Sequence, residues 1–250
     1  IEGVAWATFI AEWFAFFMGL GICFALSQNF PKIDWSLIFS KTKVIAILVV
    51  NRDIFLRSFM LEIIFVSFLM TSGKFGDVEL AATQILLQFL HISAYGMDGF
   101  AFAAEVLVGQ AVGKSNRSML RDAVVKSGVW TYTIAVFMAV TYAFLGGFFI
   151  AIMTTSNEVR LVSENFLIFI VLGPIFGALP FLMDGIFVGA TRSVDMRNMM
   201  FLSLIIYGLS AYILINLYGF YGLWAALLVS YAARGISLLT KYPRLESSII

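Results

Sequence analysis

Long apolar stretches recur along the whole chain and are separated by short polar segments. Each is about twenty residues or longer, which is enough for a helix to cross the ~30 Å hydrocarbon core of a bilayer. The pattern therefore predicts an all-α, polytopic helical membrane protein with about seven transmembrane helices. The predicted spans cover residues 4–27, 54–72, 78–113, 127–147, 166–190, 199–217 and 221–239.

The third span differs from the others because polar residues follow one of its faces. Their positions step alternately by four and three, so they share one side of a single helix. A carboxylate at the bilayer centre costs roughly 2.5–3.5 kcal/mol, so we expect this face to border a polar cavity that the chain encloses. The face carries Gln84, Gln88, His91, Tyr95, Asp98, Phe102, Glu105 and Gly109.

Two spans contain residues that are typical of bends. Gly96 and Gly99 flank Asp98 in the third span, and Pro174 and Pro180 interrupt the fifth. Proline removes a backbone donor and clashes with the preceding turn, so an intact straight helix is not expected in the fifth span. Carbonyl groups freed by such a break would need protein or water partners, which again indicates a cavity wall.

The segments around two of the acids resemble each other. Residues 97–114 read MDGFAFAAEVLVGQAVGK, and residues 183–192 read MDGIFVGATR. In each, an acid stands between a methionine and a glycine, and small residues and a basic end follow. Parallel, equivalent helices of an internal repeat would explain the match, and a chance match of four letters is the alternative. The acids are Asp98 and Asp184.

The basic residues indicate an orientation. Alternate sides of the seven predicted spans receive fourteen Lys and Arg residues on one side and two, Lys74 and Arg160, on the other. The positive-inside rule then predicts a cytoplasmic C-terminus in the inner or plasma membrane, with Ile1 outside. Because the chain opens on Ile1 and lacks signal-peptide features, we expect it to be a piece of a longer protein.

Composition narrows the function classes. The chain is 61% hydrophobic and 12% charged, which indicates that its partner is the lipid bilayer. Its net charge of +1 gives no indication of nucleic-acid binding. His91 is the only histidine and Cys23 the only cysteine, and no GxSxG or HExxH motif occurs. An enzyme, a metal site and a cofactor are therefore not expected.

The chemistry that remains is four acids within apolar helices, with His91 on the same face as one of them. Such carboxyl groups can change protonation state, or can hold a cation together with hydroxyl and carbonyl oxygens. Two alternatives stay open: Glu62 or Glu105 pairs with Arg57 or with a backbone donor and carries no ion, and His91 makes a polar contact rather than relaying protons. The candidate ion-coupling residues are Glu62, Asp98, Glu105, Asp184 and His91, and the polar cavity-lining candidates are Gln84, Gln88 and Tyr95.

Three segments resemble the multidrug and toxic compound extrusion (MATE) family, and in particular its DinF-like bacterial branch. They are NRDIFLRSFMLE (51–62), LAATQILLQFLHISAYGMDGFAFAAEVLVGQAVG (80–113) and LMDGIFVGATRSVDMRNMM (182–200), and the match runs in order over nearly the whole chain. The resemblance implies twelve helices in two six-helix lobes that alternate access. It also implies export of lipophilic or cationic small molecules in exchange for Na⁺ or H⁺.

The same resemblance implies a division of the chain. Residues 1–29 correspond to the last helix of the amino-terminal lobe, 30–52 to the cytoplasmic linker between lobes, and 53–250 to the carboxy-terminal six-helix lobe. The missing amino-terminal lobe of the same polypeptide would be the partner of this chain, so the fragment alone should not transport. Glu62 and Asp184 lie in helices where other branches use acids, although close relatives can carry glutamine in place of Glu62.

Three other functions compete with this one. A lipid-linked oligosaccharide flippase of the same superfamily would favour a more cationic cavity, and only Arg57 and Arg234 come close to span interiors. An intramembrane enzyme would need a nucleophile or metal pair that the sequence lacks. A non-catalytic structural membrane subunit would not need four buried acids.

Overall fold

The computed structural model describes residues 2–26 and 39–249, which form helices joined by short turns, with no strand in these ranges. The chain divides into two compact units, residues 1–47 and 48–250. The predicted all-α class is confirmed. The helices are α1 (Glu2–Leu26), α2 (Lys41–Ser72), α3 (Asp77–Gly113), α4 (Arg117–Met153), α5 (Asn157–Asn165), α6 (Leu167–Gly189), α7 (Ser193–Tyr218), α8 (Phe220–Leu239) and α9 (Tyr242–Ser247).

The predicted polytopic membrane class is also confirmed. Among the described residues, six helical segments are long and apolar enough to cross a membrane. The helix α3 has 37 residues but does not belong to this set, because its polar face lowers its hydropathy. It corresponds to the third of the seven predicted spans. The six segments are Ala5–Ala25, Lys41–Ser72, Arg117–Met153, Leu167–Gly189, Ser193–Tyr218 and Phe220–Ser247.

Several helices are longer than the hydrophobic pattern indicated. The helix α2 already begins at Lys41, inside the segment assigned to the linker, because residues 44–50 are apolar and contain no Gly or Pro. Residues 27–38, which carry the rest of that segment, lie outside the described residues. The helix α4 continues past Gly146 and Gly147, and the polar segment after it contains α5, capped by the hydroxyl of Ser156.

The helix α6 is continuous across Pro174 and Pro180, where the sequence indicated a break. Both prolines are buried, and neighbouring helices press closely on the region around them. A methyl group added to Gly235 of α8 would come within 2.9 Å of Cδ of Pro180. Tight packing therefore holds the helix together although two backbone donors are absent. The helix α3 is likewise continuous through its two central glycines.

The helices α3 and α6 lie side by side with their backbones in contact. Gly185 faces the backbone of Ala101, and Gly189 faces the backbone of Glu105, so closely that a methyl group at either glycine would clash. Small residues spaced four apart permit this approach between membrane helices. The contact brings the two similar segments of the sequence together in space.

Both helices end in the same kind of turn. Ser115 and Thr191 adopt positive φ values of 49° and 54°. The next residue in each turn, Asn116 or Arg192, donates its backbone N–H to a carbonyl five positions earlier at 2.9 Å. We call this end of the bundle the basic end of the lobe. The turns after α3, α6 and α8, together with the helices α4 and α9 that begin there, carry Lys114, Arg117, Arg192, Lys241 and Arg244.

Aromatic packing closes the opposite end. The rings of Phe68 and Trp224 meet edge to face at 4.9 Å, and Phe166 stacks on Tyr221 at 4.3 Å. Phe68, Phe166 and Trp224 belong to a cluster that joins α2, α3, α4, α6, α7 and α8. A second cluster near the basic end includes Leu120, Leu182 and Ile186. Apolar packing of this kind fixes the helices between which charged side chains meet.

Candidate functional site

A cavity of about 290 Å³ lies between α2, α3, α6 and α8. Five of its lining side chains are charged, which is unusual for the interior of a membrane-spanning bundle. The lining consists of Arg57, Leu61, Asp98, Ala101, Phe102, Glu105, Phe181, Asp184, Gly185, Val188 and Arg234.

Asp184 of α6 is held by two arginines from different helices. Its Oδ2 accepts hydrogen bonds from Nη2 of Arg57 on α2 and from Nη2 of Arg234 on α8. The guanidinium of Arg234 also lies 5.5 Å from the ring centroid of Phe181, in cation–π geometry. Two full positive charges on one carboxylate leave this cluster with a net charge of +1.

Burial makes this cluster costly to break. The side chain of Arg234 is 5% exposed and that of Asp184 is 11% exposed. The Nε of Arg234 is buried and has no hydrogen-bond partner among the described residues. In a low dielectric the ion pairs are strong, but each charge also depends on its partner to offset the loss of water.

Asp98 and Glu105 supply the remaining negative charge of the cavity. Both side chains are half-buried, and neither forms an ion pair with a described residue. Asp98 lies within electrostatic reach of Asp184 and of both arginines. The lining thus combines two cations with three acids, and one of the acids is already neutralised.

The predicted residues divide into two groups. Asp98, Glu105 and Asp184 meet in the cavity, as the shared face of α3 and the similarity of the two segments indicated. Glu62 is exposed on α2 and does not line the cavity. Arg57 pairs with Asp184 rather than with Glu62 or Glu105, so the structural pairing considered for those two acids is not observed.

The rest of the polar face of α3 lies on the surface of the lobe. The expected enclosure by the chain is therefore only partial, since the face opens outward beyond the cavity. The ring centroid of His91 is 6.4 Å from that of Phe65. Within the part of the chain that the structure describes, His91 forms no hydrogen bond with Asp98. The exposed members of this face are Gln84, Gln88, His91, Tyr95 and Phe102, and of these Phe102 also lines the cavity.

Sequence reasoning missed the arginine partners of Asp184 and the buried acid Asp53. An arginine within an apolar helix is itself a signal that a buried acid lies nearby, and Arg234 gave that signal. Asp53 is fully buried and accepts hydrogen bonds from Arg197 at 2.7 Å and Ser193 at 3.4 Å. That contact joins α2 to α7, and neither segment alone indicates it.

No group of three His, Cys, Asp or Glu side chains within residues 2–26 and 39–249 has the arrangement of a metal site. The cavity acids are spread over α3 and α6, and the arginines occupy the most buried of them. What the cavity offers to a ligand is a pair of carboxyl groups, those of Asp98 and Glu105, that form no ion pair with the described residues.

Comparisons with known proteins agree with this architecture. The MatE family model matches residues 54–213. The chain is similar to DNA damage-inducible protein F of Escherichia coli (strain K12), with 33% identity over 254 residues that cover 98% of this chain and 53% of the relative. The chain therefore spans about half the length of that relative.

Proposed function

The chain belongs to the MatE family of membrane transporters, and from this premise we propose that it is half of a cation-coupled exporter. The whole protein would export lipophilic or cationic small molecules by antiport with Na⁺ or H⁺, while two lobes alternate access. The observation that carries the proposal is the pair of unneutralised acids, Asp98 and Glu105, in the charged cavity.

These two acids can couple the ion to the substrate. A proton or Na⁺ bound at Asp98 or Glu105 removes the negative charge that a cationic substrate would use. Because the two ligands compete for the same carboxylates, binding of one favours release of the other. Asp184 would not take part directly, since Arg57 and Arg234 already neutralise it.

One observation favours the flippase alternative. Arg57 and Arg234 both line the cavity, as an anionic lipid-linked sugar would require. Both arginines are engaged by Asp184, however, and the lining acids outnumber them. A net negative cavity fits a cationic ligand better than a pyrophosphate, so export of cations is the better-supported function.

The test is transport by the full-length protein in proteoliposomes. We expect efflux of a lipophilic cationic dye that depends on an imposed Na⁺ or pH gradient and stops when an ionophore collapses that gradient. Dye movement that is independent of both gradients would disprove the antiport mechanism.

Asp98→Asn supplies the residue-level test in the same vesicles. It removes a titratable charge at nearly constant volume, so we expect the gradient-driven rate to fall well below that of the wild type. Glu62→Gln is the matched control, because Glu62 is exposed outside the cavity. Equal rates in Asp98→Asn and wild type would remove Asp98 from the mechanism.

The proposed orientation, with a cytoplasmic C-terminus, has its own test. In a Cys23→Ser background, a cysteine at Thr155 should react with an impermeant thiol reagent from outside the cell, and one at Ser118 should not. Both native residues are exposed, at opposite ends of α4. A cysteine at position 193 would not serve as the reporter for the inner side, because Ser193 is buried against Asp53. The reverse labelling pattern would invert the topology.

A further inference from the structure

A groove of about 340 Å³ runs between α2 and α7, on a face of α2 about 100° around the helix from the charged cavity. One part of its lining is apolar and the other carries the guanidinium of Arg197. The lining residues are Leu56, Met60, Arg197, Asn198 and Phe201. The large apolar side chains are accessible, since Phe201 is 57% exposed and Leu56 is 37% exposed.

Two arginines meet at the polar end of this groove. Arg197 donates to Oδ1 of Asp53 at 2.7 Å, and Arg52 donates to the same oxygen at 3.1 Å. The two guanidinium groups therefore lie next to each other with one carboxylate between them, which leaves a net charge of +1. The side chain of Arg52 is 59% exposed, so part of its fork remains free for a ligand.

The position of Arg52 places this charge at the mouth of the groove. Arg52 precedes Leu56 by one helical turn, so the two side chains share a face of α2. Ser193, at the first turn of α7, also binds Asp53, which puts the polar end of the groove at the basic end of the lobe. The apolar residues follow in the direction of the membrane interior.

From this arrangement we propose that the groove between α2 and α7 binds one anionic phospholipid. The phosphate would lie against Arg52 and Arg197, and an acyl chain would lie along Leu56, Met60 and Phe201. Both helices are long and apolar enough to cross a membrane, and we expect the groove between them to face lipid. A phosphodiester of charge −1 complements the +1 of the arginine pair, whereas a zwitterionic headgroup does not.

The bound lipid would stabilise the contact between α2 and α7. The Asp53 contacts hold these helices together at their basic ends, and a phosphate on the outer side of both arginines would offset the surplus charge that these residues share. The proposal concerns lipid binding and is independent of the transport mechanism.

Native mass spectrometry of the full-length protein in detergent tests the proposal with phosphatidylglycerol as the probe. We expect one molecule to bind more tightly than phosphatidylcholine, and Arg52→Gln to weaken its binding about fivefold, the effect of one basic residue near a lipid surface. Lys126→Gln is the matched control, because it removes an exposed positive charge away from the groove. Phe201→Ala should also weaken binding, without touching the ion pairs.

Three results would overturn the proposal. Phosphatidylcholine bound as tightly as phosphatidylglycerol would remove the role of charge. Equal losses in Arg52→Gln and Lys126→Gln would show a diffuse surface attraction. Displacement of the lipid by glycerol phosphate at equal concentration would show an anion site without an acyl groove. Arg52→Gln leaves Asp53 bound to Arg197 and Ser193, and an unchanged unfolding midpoint will verify that this variant is folded.

Discussion

In two of the lobe's clusters of one carboxylate between two arginines, the carboxylate side chains are equally buried, at 11% exposure, but the arginines differ in exposure. In the cavity cluster the two arginine side chains are 17% and 5% exposed, and in the surface cluster they are 52% and 62% exposed. The cavity cluster consists of Asp184, Arg57 and Arg234; the surface cluster consists of Glu246, Arg117 and Arg121.

Ion pairs of the same composition therefore contribute differently to stability, depending on how far the arginines are buried. A surface arginine that loses its partner is rehydrated, so the surface cluster mainly positions α9 against the start of α4. Arg234 cannot be rehydrated in this way, because its guanidinium is buried and its Nε already lacks a partner among the described residues. The cavity cluster therefore determines whether the charged cavity can exist at all.

The largest expected effect is that of Asp184→Asn. It leaves Arg234 charged and buried without its counter-ion, so we expect a loss of about 3–5 kcal/mol of stability, measured as the free energy of unfolding in mixed micelles. Transport should fall as well, but through structure rather than through loss of a titrating group. Wild-type stability in this variant would contradict the prediction, because it would show that the cavity cluster behaves like the surface cluster.

Adding Arg234→Gln to Asp184→Asn should recover at least half of that loss. The double variant no longer buries the unpaired charge of Arg234, and its two neutral amide groups can hydrogen-bond to each other. Arg57 stays charged but is 17% exposed, so we expect the recovery to be incomplete. The measurement is a double-mutant cycle on the unfolding free energy with both single variants. Additive losses would contradict a direct interaction between these two residues.

Gly185→Ala tests whether the close approach of α3 and α6 supports the cavity cluster. An added methyl group would strike the backbone of Ala101, next to Asp184, and should cost about 1–3 kcal/mol of stability. Gly99→Ala is the matched control, because nothing lies within 4 Å of that position, so it should be neutral or slightly stabilising. Equal unfolding midpoints for the two variants would show that the contact has room to relax.

The smallest expected effect is that of Glu246→Gln. It should leave the unfolding midpoint nearly unchanged but speed trypsin cleavage after Lys241 or Arg244 a few-fold, because α9 loses its two arginine contacts. Raising the salt concentration should produce a similar change in the wild type, since exposed pairs are screened and buried ones much less so. A loss of stability as large as that of Asp184→Asn would erase the distinction between the clusters.

The helical class and the polar face of α3 could be predicted, because the spacing of residues within single segments is enough to indicate them. The polar face of α3 follows from the spacing of its residues alone, and the structure places Asp98 and Glu105 of that face in one cavity. The prolines of α6 show the limit of such patterns: the helix continues through both, because whether it can do so depends on how tightly its neighbours enclose it. No local pattern reports that enclosure.

The amino-acid sequence is enough to predict that this protein lies in a lipid bilayer and that it is helical. A chain so rich in apolar runs must satisfy its backbone within helices in lipid, whatever their arrangement. The tertiary structure alone decided which acids are free. Asp98 and Asp184 stand in almost the same local sequence, yet Arg57 and Arg234 converge on Asp184 and leave Asp98 without an ion pair among the described residues. That assignment depends on contacts between residues far apart in the chain, and such contacts set the charge that the cavity presents.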